Sequence, residues 1–296
     1  MSPPTYIRTE VEQGVGVLTI DRPERFNSLD VSTARDLRKA GLQLAREPAV
    51  RVVVLRGAPG IFCSGADLKY IRDGGDPAEL AYLTPGARPV PPGPGEIFKQ
   101  ILEYLHATIS EIRRAPKPFI AAVDGACAAG GLGLAMACDL VLASERATFE
   151  WAYAKTGLSG AESSTFLIPR LVGLRFASEM LLLNPRLGAA AARSAGLVNG
   201  VFRVEGFDTE VEALARRIAA GPTAAYAAAK QLFNEALGID RLDHHLDREL
   251  EALVRSADSR EFAEGLDAFF ARVSAVAICD AAEAGNPNVP ATPAQK

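Results

Sequence analysis

Two stretches of this chain place glycines where a strand turns into a helix, and such a place can hold a negative charge. In the first, Phe119–Val123 reads as a short buried strand, Asp124-Gly125 as a turn pair, and Gly130-Gly131 as the opening of a helix over residues 132–137. The first amides of a helix lack intrahelical acceptors and sit at the positive end of its dipole. Glycine there lets a ligand come close to the backbone. The chemistry on offer is capture of an anion, or of an oxygen that becomes one during a reaction. The same glycine pair would equally serve tight strand–helix packing, and its spacing is neither a Walker loop nor a dinucleotide fingerprint. The second stretch repeats the pattern: a strand over Ile61–Cys63, then Ser64-Gly65, then a helix over residues 66–72.

The elements that must hold these turns follow from hydrophobic spacing. Residues 6–20 read as a hairpin turning at Gln13-Gly14. Ala34, Leu37, Ala40 or Gly41, and Leu44 mark a helix over residues 31–47, capped by Asp30 or Ser32 and stopped by Pro48. Residues 52–55 are a continuous β-branched and apolar run, hence a strand buried on both faces. Ile97, Ile101, Leu105, Ile109 and Ile112 give a helix over residues 96–114. Strands are expected at 140–143, 148–149 and 197–204, helices at 161–171, 175–183 and 188–195, and residues 207–276 read as helical. Residues 73–95, dense in proline and glycine, are expected to be poorly ordered without ligand and to act as a lid. The organisation expected is an α/β core over residues 1–205, a helical region over 206–278, and a disordered tail over 279–296.

Composition excludes several classes. A net charge of −4 and a pI near 5.6 do not suit a nucleic acid or an anionic membrane as partner. Cys63, Cys127, Cys138 and Cys279 form no close metal-ligand pair and read as free thiols in a reducing compartment, so a cytoplasmic location without metal is expected. The apolar stretch 119–143 is interrupted by Asp124, Asp139 and clustered glycines, which reads as strand–helix–strand rather than a membrane span.

Several motifs, in order, resemble the crotonase (enoyl-CoA hydratase/isomerase) superfamily. Arg22-Pro23-Glu24-Arg25-Phe26-Asn27-Ser28-Leu29 resembles its early loop, and Ile61-Phe62-Cys63-Ser64-Gly65-Ala66-Asp67-Leu68 its first oxyanion-hole segment. Pro116-Lys117-Pro118 through Gly130-Gly131, then Ala137-Cys138-Asp139-Leu140, resembles the second. Ala195-Gly196-Leu197-Val198 and Glu264-Gly265-Leu266-Asp267-Ala268-Phe269 resemble the late signatures, so the likeness spans about residues 5–272. The resemblance implies an α/β crotonase-like β-β-α spiral (the ClpP/crotonase fold), a C-terminal helical region used in trimer contacts (homotrimer or dimer of trimers), and an acyl-CoA thioester substrate. No cofactor is implied beyond the coenzyme A of the substrate. The amides of Ala66 and Gly130 would hold the thioester oxygen as an enolate forms.

Against that family pattern, the chain lacks both hydratase glutamates: their positions are Gly133 and about Tyr153. Family members with a single carboxylate place it at Ala161 or, one residue on, Glu162. Glu162 is therefore the expected base, in competition with a dipole-pairing role in the first turn of a helix. Glu150 is a weaker candidate, expected to be exposed. Asp67 and Asp139 are expected in capping and turn roles. Tyr153 is expected either to donate in the acyl pocket or to be satisfied by backbone. Ser64 with His106 as a nucleophilic pair lacks a third member, and His244-His245 reads as a solvated face. For coenzyme A, Arg25, Lys69 and Arg72 are the cations, Phe26 and Phe270 the framing rings, and Ser64, Asp67, Leu68, Gly131 and Tyr153 line the substrate. The expected reaction is isomerisation of 3-enoyl-CoA to 2-enoyl-CoA. The alternatives are hydrolase or lyase chemistry on a bulkier acyl group, or a catalytically weak acyl-CoA-binding protein.

Overall fold

A computed structural model describes residues 5–80 and 93–284. Two sheets run side by side through the core. The larger holds β1 (Ile7–Glu12), β2 (Val15–Ile20), β3 (Val52–Gly57), β5 (Phe119–Val123), β7 (Leu140–Ser144) and β10 (Gly200–Phe202), in that spatial order. Only the β1–β2 hairpin is antiparallel there; Gln13 and Gly14 turn it with φ of 49° and 81°, as its right-handed twist requires. The smaller sheet holds β4 (Ile61–Cys63), β6 (Ala126–Ala128), β8 (Thr148–Glu150) and β9 (Leu187–Gly188). Each passage of the chain therefore lays one strand in the large sheet (β3, β5, β7) and the next in the small one (β4, β6, β8). This is the β-β-α spiral the motifs imply.

The first helix, α1 (Val31–Arg46), starts where expected: Asp30 accepts the Thr33 N–H at 2.8 Å, a cap worth about 1 kcal/mol over alanine. α2 (Leu68–Arg72) and α3 (Pro77–Leu80) follow β4, then α4 (Pro94–Arg114). α5 (Gly130–Ala137) follows β6. α6 (Ser164–Val172), α7 (Leu174–Leu183) and α8 (Ala189–Ser194) follow β8 and precede β10. Helices α9 (Phe207–Ala219), α10 (Thr223–Ala236), α11 (Leu242–Ala257) and α12 (Arg260–Ala284) complete the chain.

The β-branched run of β3 is buried on both faces, as its composition demands. Val53 and Leu55 face the main core, while Val52 and Val54 face a second cluster closed by Phe207, Val211, Ala215 and Ala219 of α9. α4 packs against both α1 and α11.

Two expectations are corrected, and a third falls largely outside the described residues. The helix expected from residue 161 begins at Ser164, because Glu162 and Ser163 take left-handed φ values of 51° and 64°. The tail expected from residue 279 is still helical to Ala284; the remainder lies outside the described residues. Most of the lid expected over residues 73–95 falls at 81–92, also outside the described residues, while α3 and the start of α4 flank it.

Candidate functional site

The two glycine turns meet. A Cβ added to Gly65, whose φ is +93°, would lie 2.9 Å from the Ala129 Cβ and 3.0 Å from the Gly130 nitrogen. Among the described residues, neither the Ala66 nor the Gly130 N–H has a backbone acceptor. The Ala66 turn is pinned to Leu29, whose N–H donates to the Gly65 carbonyl at 2.8 Å and whose carbonyl accepts the Asp67 N–H at 2.9 Å. Asp67 then caps α2 by accepting the Tyr70 N–H at 3.0 Å. It is 2% exposed and takes charged hydrogen bonds from Arg22 at 2.9 Å and from Arg25, while Arg22 also pairs with Asp30 at 2.8 Å. Burial pushes the Asp67 carboxyl up, but the Arg25 hydrogen bond, the Tyr70 amide and the two guanidinium charges outweigh it and hold it below the usual range.

The Gly130 turn is held by contact instead. Ala129 adopts φ 47° and ψ −120°, a conformation costly for alanine that persists only where its surroundings enforce it. Every residue of α5 is buried. A Cβ on Gly131 would stand 2.2 Å from the Cys63 carbonyl oxygen, so only glycine lets α5 lie on β4.

Glu162 closes the site. It is 2% exposed, and a Cβ on Gly130 would fall 2.9 Å from its Oε1. A Cβ on Gly133 would fall 2.0 Å from the Glu162 carbonyl oxygen and 2.8 Å from its Cβ. The place a side chain at position 133 would fill is thus occupied by Glu162 itself. The Tyr153 hydroxyl lies within hydrogen-bond reach of both the Glu162 carboxyl and the Ala161 carbonyl, the latter at 3.1 Å. One hydroxyl proton cannot serve both. When Glu162 is ionised Tyr153 donates to it; when Glu162 is protonated it can donate to Tyr153, which turns to Ala161. Burial pushes the Glu162 pKa up to about 8, the Tyr153 hydrogen bond opposing and the charge of Glu249 adding to the rise.

Two further groups reach the site: Glu249, which the sequence did not single out, and His106, weighed there only as a partner of Ser64. Glu249 of α11, 3% exposed, accepts the Ser163 N–H at 2.8 Å, the Thr165 N–H at 3.0 Å and the Thr165 hydroxyl. His106 of α4 accepts the Glu162 N–H on Nε2 at 3.3 Å, and burial lowers its pKa to about 4, so it stays neutral. A legible signal for Glu249 existed: Leu242, Leu246, Leu253 and Ala257 form the buried face of α11, and Glu249 sits on that face.

The remaining expected residues divide. Asp67 and Tyr153 are at the site. Ser64 adjoins it, its N–H on the Phe26 carbonyl at 3.2 Å, and no contact joins it to His106 among the described residues. Leu68 packs on the core. Phe26 is 65% exposed beside the site. Arg25 is engaged with Asp67, Lys69 with Asp73, and Arg72 stacks on the Phe270 ring at 3.7 Å, so each expected coenzyme A cation has an intramolecular partner. Phe270 also meets Phe269 edge-on. Glu150, expected to be exposed, is buried beneath Asn184, Lys155 and Arg186. His245, read as part of a solvated face, is bonded to the Thr165 hydroxyl at 2.8 Å. Asp139 accepts the Phe119 N–H and pairs with Lys230 and Arg113, a structural role. Among the described residues there is no cluster of metal-ligating side chains, and no helix is long and apolar enough to cross a membrane.

Comparison with known proteins adds an independent line. Residues 10–84 and 98–276 match the profile of a family described as Enoyl-CoA hydratase/isomerase. The chain is 33% identical over 280 residues to the 4-chlorobenzoyl coenzyme A dehalogenase-2 of Arthrobacter sp, covering 92% of this chain and 94% of that one. It is 31% identical over 269 residues to the 1,2-epoxyphenylacetyl-CoA isomerase of Escherichia coli (strain K12), covering 91% and 97%. The crystal structure of an enoyl-CoA hydratase from Mycobacterium avium subsp. paratuberculosis K-10 superposes with a TM-score of 0.78 at 32% identity, covering 91% and 97%.

Proposed function

This chain belongs to the enoyl-CoA hydratase/isomerase family, and from that premise we propose that it moves a proton along an enoyl-CoA thioester, with Glu162 as the only base. The observation that carries the reading is the contact between the Glu162 carboxyl and the Gly130 turn. It puts a buried proton acceptor against the Gly130 turn, which the Gly65 turn also meets, and the amides of Ala66 and Gly130 would hold the thioester oxygen.

In this reading the ionised Glu162 takes a proton from the α carbon of a 3-enoyl thioester. The electrons move onto the carbonyl oxygen, where the two amides stabilise the dienolate. The charge then returns and the same carboxyl delivers its proton to the γ carbon, giving the 2-enoyl thioester. One carboxylate suffices because it is regenerated. Tyr153 follows the proton, donating to Glu162 before abstraction and releasing it afterwards. A pKa near 8 makes Glu162 a stronger base than an ordinary carboxylate, at the cost of ionising only roughly one-tenth of it at pH 7. Hydration by two carboxylates is disfavoured because position 133 is glycine and the space there is filled.

Coenzyme A would lie along the Arg25, Phe26 and Lys69 side, with Phe270 and Arg72 nearby in sequence roles the family suggests. A homotrimer is part of this reading. Its support is the exposed apolar surface of Leu174, Leu182 and Leu183 on α7 and Leu232 and Phe233 on α10. Light scattering of the purified protein tests it.

A panel of 3-enoyl-, 2-enoyl- and aromatic acyl-CoA thioesters tests the reaction. Isomerisation of 3-enoyl-CoA should exceed hydration of 2-enoyl-CoA, and Glu162→Gln should lower it by at least about 10²-fold. Faster hydration, or a Glu162→Gln enzyme near the wild-type rate, overturns the reading. Tight acyl-CoA binding without turnover would return the protein to the class of weak binders.

A further inference from the structure

We infer that Glu249 is a positioning residue whose carboxylate grips the turn carrying Glu162 and is coupled to the Glu162 carboxyl; this rests on Glu162 being the base. The helix that bears Glu249 lies in the C-terminal region, of which only Phe270 was expected near the substrate.

A carboxylate on the apolar face of a helix is costly unless its oxygens are satisfied. Those of Glu249 are satisfied by one short segment. Oε2 takes the Ser163 N–H at 2.8 Å, and Oε1 takes the Thr165 N–H at 3.0 Å and the Thr165 hydroxyl. These donors begin one residue after Glu162. Glu162 and Ser163 are both in the left-handed region, with φ of 51° and 64°, which a non-glycine residue keeps only under restraint. Glu249 supplies that restraint from one side, and His106 supplies it from the other by accepting the Glu162 N–H.

The same geometry sets the field at Glu162. The groups facing it are the Tyr153 hydroxyl from the turn after β8, the His106 ring from α4, the Cys63 thiol from β4 and the Glu249 carboxyl from α11. His106 lies 4.0 Å from Glu249 Oε2 and is neutral, its pKa lowered by burial. His245 lies 3.7 Å from Glu249 Oε1, and burial lowers its pKa also. Burial raises the Glu249 carboxyl as well, opposed by the hydrogen bonds it takes from Thr165 and Ser163. Arg170 reaches His245 rather than either carboxyl among the described residues, and where Glu249 is ionised its charge disfavours that of Glu162.

The test compares Glu249→Gln, which keeps the size but loses the charge, with Glu249→Asp, which keeps the charge but shortens the reach. The first readout is the rate–pH profile with a 3-enoyl-CoA. The second, independent of turnover, is carboxyl ¹³C NMR titration of Glu162, assigned through Glu162→Gln. In Glu249→Gln the rising limb and the Glu162 titration should both move to lower pH by at least about half a unit. In Glu249→Asp the limb should stay in place while kcat falls. An unshifted Glu162 titration in folded Glu249→Gln overturns the inference. Should that variant not fold, the wild-type spectrum decides: a Glu249 resonance with no step through the Glu162 titration overturns it. A Glu162→Gln enzyme with wild-type rate fails the base assignment instead, and the NMR titration still judges the coupling of the two carboxyls.

Discussion

The turn at Ala66 and the turn at Gly130 each present an amide with no backbone acceptor among the described residues, and hold it by opposite means. The Ala66 turn is braced by charge: Asp67 beneath it, with Arg22 and Arg25 on Asp67 and Asp30 on Arg22. The Gly130 turn is braced by close contact: glycines at 130, 131 and 133 let α5 press on Cys63 and on Glu162, and α5 itself carries no charged residue. A charged brace can be tuned and tolerates small movement. A contact brace leaves no room, and it packs the carboxyl of Glu162 against the Gly130 turn. The two should therefore respond to pH with opposite signs.

The largest expected effect tests that sign at the packed turn. The Glu162 pKa is raised from 4.5 to about 8, so the unfolded chain loses this proton before the folded one does. Its contribution to stability is full below pH 4.5 and is lost as pH rises through about 8. The loss could reach about 5 kcal/mol across that window. Glu162→Gln should then be more stable than wild type at pH 8 and nearly equal at pH 4.5, as measured by urea unfolding at each pH; a gap that does not grow with pH breaks the comparison. Next in size, Gly131→Ala should cost about 3 kcal/mol or more, because its Cβ meets backbone at 2.2 Å that cannot swing aside. A thermal midpoint unchanged by Gly131→Ala would mean that α5 is not held by contact. Asp67→Asn should cost about 2 kcal/mol, less than a fully buried pair, since Arg22 keeps Asp30. The Asp67 carboxyl is held low when folded, so its stabilisation is present above the unfolded value and lost as acid titrates the folded one. Acid unfolding of wild type and Asp67→Asn should therefore converge. The smallest effect is ionic: raising salt to 1 M should weaken the charged turn by less than about 0.5 kcal/mol through Arg25, the partly exposed partner, and leave Asp67→Asn unaffected.

Much of this was legible in the sequence where local pattern and environment agree. The strands Ile61–Cys63 and Phe119–Val123 were readable from apolar runs ended by glycine, and both glycine turns proved to be neighbours. Strand β6, Ala-Cys-Ala, has no strong strand former; it exists because β4 and β8 pair with it on either side. The Glu162 turn misled the helix boundary because its left-handed Ser163 is bonded to Glu249, 86 positions away. Glu150 looked exposed from its place after a strand, but Asn184, Lys155 and Arg186 arrive from other segments to cover it. Pairings of that range leave no trace in local spacing.

One consequence concerns how such a site can change over generations. The backbone of Glu162 and a side chain at position 133 compete for one volume, since a Cβ at 133 would lie 2.0 Å from the Glu162 carbonyl oxygen. A glutamate gained at 133, where the family resemblance places a hydratase glutamate, would clash with the turn at 162 unless that turn had already been rebuilt. Rebuilding that turn first would discard the carboxylate now present. The two arrangements compete for one cavity, so passing from one to the other requires both positions to change.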